Sequence, residues 1–225
     1  MQQSVIYIIQ SPTDSCWQIG SNLNQVQHLL LIGWKPDIIS GVLPPVVAKI
    51  IAQVLCEIAT VSFPTSTSMG DLKKHSPNVS FNYTPIESSR LITFLRKINP
   101  FSSLAAIVST SDSQLAAQLF DSPLFSWELQ STIALLSRNK KAPPVLTLNI
   151  LKKLLDNEKW LSEIRQITHE NDILGILKPT TDGASAAMLF LSKEAKEIFL
   201  NTLKNTATKH HVEIEYISEN MFKNL

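Results

Sequence analysis

The chain has 225 residues, of which 44% are hydrophobic and 17% charged, a composition that is typical of a folded globular protein and excludes a disordered one. Its 20 basic and 19 acidic residues give a formal charge of +1, so no broad basic field exists for nucleic acid or anionic membrane, and nucleic acid is not a predicted partner. Two cysteines without a CxxC spacing argue against a disulfide framework and a zinc knuckle.

Short apolar runs rich in Val, Ile and aromatic residues predict strands that are buried on both faces. They lie at 5–9, 37–40, 60–63, 79–83, 104–109, 145–148, 173–177 and 212–217. Helical patterns fall at 21–34, 44–58, 87–98, 113–120, 126–138, 150–167 and 192–209, and the small residues after Gly183 suggest the start of another helix. Strand and helix thus alternate along nearly the whole chain, which is typical of an α/β protein with mainly parallel sheets and flanking helices.

A polar segment that contains several prolines, residues 64–85, divides the alternating strands and helices into two groups. We expect a first α/β lobe over 1–84 and a second over 85–225, in an arrangement that allows the C-terminal helix and strand to return to the first lobe. Two Rossmann-like lobes of this kind would resemble a periplasmic-binding fold.

Hydroxyl-rich segments follow four of the predicted strands: "QSPTDS" from residue 10, "PTSTSMGD" from 64, "STSDS" from 109 and "KPTTDGAS" from 178. In an open parallel sheet these loops meet at one edge, where such folds bind ligands. Hydroxyls and free N–H groups at helix N-termini would hold a polar group there. The same residue types are the preferred helix N-caps, so capping is the alternative for each loop.

Enzymatic signatures are missing, since the chain has no GxxxxGK[ST], GxGxxG, GxSxG or HExxH sequence. We predict no metal and no cofactor. The remaining route to catalysis is Cys16, in the loop after the first strand, or His75, beside two lysines in the segment 64–85. Cys56 falls in the apolar helical run and is interpreted as a core residue.

The segments "WKPDIISGVLPPVVAKIIAQVLCEIATVSFPT" (34–65) and "PNVSFNYTPIESSRLITFLRKINPFSSLAAIVSTSDS" (77–113) resemble the substrate-binding proteins of ABC transporters in the TrpX-like group. In that family a Lys-Pro-Asp strand, a helix, two strands, a second helix and another strand follow in the same order. "NDILGILKPTTDGAS" (171–185) is similar to a later segment that faces the cleft between the lobes. The resemblance implies that Thr180, Thr181 and Asp182 lie at a ligand site.

The sequence therefore predicts non-catalytic binding of a small polar ligand in an interlobe cleft, as a sensor or regulatory module whose closure a protein partner reads. Hydroxyls would hydrogen-bond the ligand, Asp182 would accept a hydrogen bond from an amine or hydroxyl, and Trp17 would stack on a ring. The predicted ligand-binding residues are Ser11, Thr13, Trp17, Ser40, Thr65, Ser66, Ser109, Ser111, Thr180, Thr181 and Asp182.

The alternative function is a protein-interaction adaptor that takes no small ligand. "ILKP" (176–179) is similar to the strand that ends in Lys-Pro in response-regulator receiver domains, but Gln10 and Ser11 stand where those domains need an acidic pair. A degenerate receiver-like or binding-protein-like scaffold would then bind its partner through an apolar patch, for which "FDSPLF" (120–125) is the candidate.

The N-terminal sequence "MQQSVIYIIQSPTD" has no basic region and only a five-residue apolar run, too short for a signal-peptide core. No apolar stretch reaches the roughly 18 to 20 residues that a membrane-spanning helix needs. We expect a cytoplasmic protein without a membrane span, or a periplasmic one if the sequence is a mature form.

Overall fold

The computed structural model describes residues 4–10, 28–34, 43–65, 69–75, 77–85, 106–120, 133–137, 173–179, 185–190, 192–218 and 220–221. The strands in these ranges are β1 Val5–Gln10, β2 Leu29–Trp34, β3 Thr60–Thr65, β4 Asn82–Pro85, β5 Ala106–Thr110, β6 Ile133–Leu136, β7 Ile173–Pro179, β8 Ser185–Phe190 and β9 Glu213–Ile217. The helices are α1 Pro45–Ile58, α2 Met69–His75, α3 Ser113–Phe120 and α4 Lys193–Lys209.

The described strands form one nine-stranded sheet in the order β4-β5-β3-β6-β7-β8-β2-β1-β9. Seven of its eight strand pairs are antiparallel, and β1 with β9 is the parallel pair. The α/β class is confirmed. The prediction of mainly parallel, Rossmann-like sheets is not confirmed, because the described part of the chain is mostly antiparallel.

Three strands that the sequence did not predict account for the difference. β2 and β6 lie inside the segments 21–34 and 126–138, which were predicted to be helical, and β8 lies where a small-residue helix was expected. Each is a run of four to six residues, and a short apolar run fits a buried strand as well as a buried helix. All six β8 residues are buried, as in a strand covered on both faces. Where the chain forms a strand instead of a helix, it can pair antiparallel with the strand before it. A helical crossover between two parallel strands is then not needed.

Three of the predicted helices and five of the predicted strands are confirmed. The helices expected at 44–58, 113–120 and 192–209 are α1, α3 and α4, and the strands expected at 5–9, 60–63, 104–109, 173–177 and 212–217 are confirmed within two residues. The strand expected at 79–83 begins at residue 82, and α2 was not predicted. The elements expected at 37–40, 87–98, 145–148 and 150–167 lie outside the described residues.

Helix α1 forms the centre of the hydrophobic core. It begins with proline at its first position, where the missing N–H has no intrahelical partner to lose. Its buried residues are Val47, Ala48, Ile50, Ile51, Ala52, Val54, Leu55 and Cys56. They belong to one cluster with the inward residues of the sheet, and the helix also packs against α3 and α4. This packing fixes where the ends of three helices meet.

Helix α4 is capped at both ends. The Ser192 hydroxyl accepts a hydrogen bond from the Ala195 N–H at 3.1 Å, so Ser192 is the N-cap of α4. Lys209 stands in the last turn, where a cation suits the helix dipole, and His210 is the C-cap residue of the helix. His211 follows with φ of 55°, a left-handed conformation that turns the chain into β9.

Strands from both sides of residue 84 are hydrogen-bonded into the same sheet. The division into lobes over 1–84 and 85–225 stays a prediction. None of the helices that the structure describes is long and apolar enough to cross a membrane.

Candidate functional site

The four strands that precede the hydroxyl-rich loops do not all end at one edge of the sheet. In the antiparallel register of β3 and β5, Val61 pairs with Thr110 and Thr65 with Ala106, so these strands end at opposite edges. Following the pairings along the sheet, β3 and β7 end at one edge and β1 and β5 at the other. The expectation that all four loops meet depended on a parallel sheet and does not hold for these strands. Thr65 therefore lies at the edge opposite Ser111.

Most of the predicted ligand-binding residues lie outside the described part of the chain. These are Ser11, Thr13, Trp17, Ser40, Ser66, Thr180, Thr181 and Asp182, together with Cys16. The segment 180–184 joins β7 to β8, which pair antiparallel, and not a strand to a helix as expected. The role of these residues in ligand binding stays a prediction.

Ser109 and Ser111 face β3 through hydroxyl pairs. The Ser109 Oγ lies 2.6 Å from the Oγ of Ser62, a fully buried residue, and the Ser111 Oγ lies 2.9 Å from the Thr60 Oγ1. Since a buried hydroxyl without a partner is costly, the first pair has a structural role. Ser111 is exposed and keeps capacity for a further hydrogen bond.

Asp112 caps α3. Its Oδ1 accepts hydrogen bonds from the N–H groups of Gln114 at 2.8 Å and Leu115 at 3.0 Å. The Asp112 N–H in turn donates to the hydroxyl of Thr110. In the loop "STSDS", then, Asp112 is a helix cap, as the alternative interpretation predicts. The serines on either side of it, Ser111 and Ser113, line a neighbouring cavity.

This cavity has a volume of about 310 Å³ and lies where α1, the start of α3 and the end of α4 meet; we call it the polar cavity. Helix α1 contributes Gln53, Cys56 and Glu57, and the start of α3 contributes Ser111 and Ser113. Cys56 is only 3% exposed, which confirms its predicted place in the core even though it also lines the cavity wall. Three sequence-distant elements thus build one concave site.

Helix α4 contributes Thr206, Lys209 and His210 to the polar cavity. The His210 Nε2 lies 2.7 Å from the Oε1 of Gln53, so the imidazole and the amide are hydrogen-bonded. That hydrogen bond joins the end of α4 to α1 across the cavity. It positions the imidazole, whose other ring nitrogen is left for a further hydrogen bond.

Charges of both signs surround the polar cavity. Glu57 and Lys209, both exposed, supply one carboxylate and one ammonium group. The ends of α1 and α4 carry the partial negative charge of their helix dipoles, and Asp112 already occupies the positive end of α3. A strongly charged anion is therefore poorly matched, whereas a neutral or zwitterionic polar group finds donors and acceptors.

A second cavity, of about 250 Å³, adjoins the first; we call it the apolar cavity. Glu57 lines both. The other residues around the apolar cavity come from the end of α1, the sheet and the first half of α4: Ile58, Leu174, Phe190, Ala195, Ile198 and Thr202. It is lined mainly by hydrocarbon, with the exposed Ile198 at its margin.

Sequence reasoning missed the contribution of Gln53, Lys209 and His210. His210 closes the last helix. No local signal joins residues 53 and 210, because their proximity arises from the packing of α4 on α1.

Among the described residues no group of three or more His, Cys, Asp or Glu is placed to hold a metal ion. No protein family model, curated protein or solved structure matches the chain. The geometry of the polar cavity is therefore the main guide to function.

Proposed function

We propose that the protein binds a small polar ligand, without catalysis, in the polar cavity and acts as a sensor or regulatory module. The observation that carries this proposal is the lining of the cavity: seven of its eight residues present polar side chains, and the eighth is Cys56. Its volume of about 310 Å³ is at the lower end of the range for small-molecule sites.

Binding would be coupled to shape because three helices border the polar cavity. A ligand that hydrogen-bonds Ser111, Gln53 and His210 together would tie the start of α3 to the ends of α1 and α4. A conformation that holds these three helix ends at the right distances would bind the ligand more tightly than other conformations of the protein. The ligand would therefore increase the population of that conformation. A protein partner could then read the difference.

The TrpX-like resemblance supports ligand binding at a different place, Thr180, Thr181 and Asp182. A two-lobed binding protein with an interlobe cleft is therefore the competing form of the same function. The two forms differ in which substitutions abolish binding, so one experiment separates them.

The test is a thermal-shift screen against amino acids, nucleobases, nucleotides and small carboxylates. A ligand at 100 times its Kd adds about 2.7 kcal/mol of stability, which raises Tm by several degrees. We expect the shift to vanish in Ser111→Leu, which places a larger apolar side chain in the polar cavity. It should persist in the control Gln114→Leu, at an exposed position of α3 that does not line the cavity.

Two outcomes would contradict the proposed site. A shift that survives Ser111→Leu but is lost in the double variant Thr181→Ala with Asp182→Ala would place the ligand at the loop of the TrpX-like interpretation. No shift with any compound would refute binding of these ligand classes.

The adaptor alternative has one favourable observation of its own. Strand β9 is the last strand of the described sheet, and its Tyr216 is 58% exposed, with Met221 60% exposed shortly after it. Large exposed apolar side chains beside a sheet edge are suited to protein contacts. The adaptor would be favoured if a purified partner protein binds the unmodified chain but not Tyr216→Ser, and if the variant keeps the Tm of the unmodified chain. Equal binding of the partner by the unmodified chain and the variant would count against it.

A further inference from the structure

We infer that the ligand is amphipathic, with a neutral hydrogen-bonding head in the polar cavity and a hydrocarbon tail in the apolar cavity. This inference rests on the proposed function and specifies its ligand class. Its first support is Glu57, which lines both cavities and so marks the place where they adjoin.

The second support is the order of residues along α4. Ala195, Ile198 and Thr202 line the apolar cavity, and Thr206 and Lys209 line the polar cavity. Steps of three and four residues keep side chains on one face of a helix. From Thr202 to Thr206 the helix rises about 6 Å, one turn, so the two cavities follow each other along a single face of α4.

The walls of the apolar cavity suit a chain of methylene groups. Leu174 and Phe190 from the sheet and Ile58 from α1 present hydrocarbon to it. The Phe190 ring packs against Phe199 with centroids 5.2 Å apart, which fixes this wall in place. Ile198 is 48% exposed, and a bound tail would remove part of that apolar surface from water.

The head is assigned as neutral because charges of both signs already line the polar cavity. Lys209 offsets Glu57, and the negative ends of the α1 and α4 dipoles oppose an added anion. An added cation would meet Lys209. Hydroxyl groups such as that of Ser111 pair well with an uncharged hydroxyl or amide head.

The test uses the straight-chain alcohols from 1-butanol to 1-octanol, whose head is one hydroxyl group and whose tail grows by one methylene at a time. Their dissociation constants are measured by calorimetry with the full chain. If the tail enters the apolar cavity, each added methylene should tighten binding by about fourfold until the cavity is full. Octanoate and octylamine, which carry charged heads on comparable tails, should bind more weakly than 1-octanol.

Thr202→Trp provides the matched perturbation, because it fills the apolar cavity from α4, and Asn201→Trp is the control at the next, outward-facing position. We expect the dependence on chain length to disappear in Thr202→Trp and to remain in Asn201→Trp. An equal dependence in both variants, or no alcohol binding to the unmodified chain, would overturn the inference. A polar compound that binds the unmodified chain and Thr202→Trp equally would overturn it while leaving the proposed function intact.

Discussion

Replacement of Asp112 by alanine should weaken the start of α3 by a predictable amount. One carboxylate oxygen of Asp112 accepts hydrogen bonds from two backbone N–H groups, those of Gln114 and Leu115, at 2.8 and 3.0 Å. Alanine leaves both groups without their protein partner. The affected turn carries Ser113 at the wall of the polar cavity, so the perturbation reaches the site as well as the fold.

The size of the effect follows from the exposure of the cap. Loss of an N-cap costs roughly 0.5–2 kcal/mol. Asp112 is half-buried and the Gln114 bond is exposed, so water can replace part of what is lost, and we expect about 1 kcal/mol. For a chain of this size that corresponds to a fall in Tm of about 2–4 °C.

The assay is urea unfolding followed by circular dichroism, with thermal unfolding beside it. Asp112→Asn is the control, because asparagine is an equally good N-cap and should change the free energy of unfolding by only a few tenths of a kcal/mol. Equal stability of Asp112→Ala and the unmodified chain would refute the assigned cap. Equal destabilisation by Asn would show that the charge, and not the hydrogen-bond geometry, is what matters.

Three further substitutions test the fold. Gly175→Ala places a Cβ 2.7 Å from the carbonyl oxygen of Leu189 on the neighbouring strand, so we expect a loss of about 1–3 kcal/mol in urea unfolding; unchanged stability would contradict the β7–β8 register. Phe199→Ala, at a fully buried position, should cost about 3–5 kcal/mol, and a loss under about 1 kcal/mol would contradict its place in the core. Burial and the negative charge of Glu215 raise the pKa of Tyr7 above its ordinary value of 10.0. Above about pH 10 the folded state therefore keeps a proton that the unfolded chain releases, and the free energy of unfolding falls as the pH rises. Tyr7→Phe should therefore lose less stability than the unmodified chain between about pH 9 and pH 11, and parallel pH profiles would refute this.

Local sequence signals predicted the elements that local chemistry specifies. Proline at the start of α1, Asp112 before α3 and Ser192 before α4 act within one helical turn, and each stands where its helix begins. Long periodic patterns reinforced these signals, since a helix of 14 residues, such as α1, repeats its apolar face several times.

Strand direction could not be predicted in the same way. β6 has four residues and β8 six, too few to distinguish a buried strand from a buried helix by periodicity. Whether a strand pairs parallel or antiparallel depends on partners far along the chain. The two missed strands next to β7 therefore changed the topology of the sheet.

The candidate site was predicted only in part. Ser111 was singled out from the hydroxyl-rich loop after β5, and it lines the polar cavity. Gln53 and His210 lie 157 positions apart in sequence, and no sequence pattern indicates the hydrogen bond between them. Such a site becomes visible only when the packing of α4 on α1 is known.

The central claim is that a small polar ligand binds in the polar cavity, and an NMR titration tests it most directly. Amide resonances of the ¹⁵N-labelled chain would be followed with the compounds of the thermal-shift screen. The account predicts saturable shifts centred on Ser111, Ser113, Gln53 and His210, with little change at exposed positions of α4 such as Asn201. Saturable shifts centred on residues 180–182, or none with any compound, would contradict it.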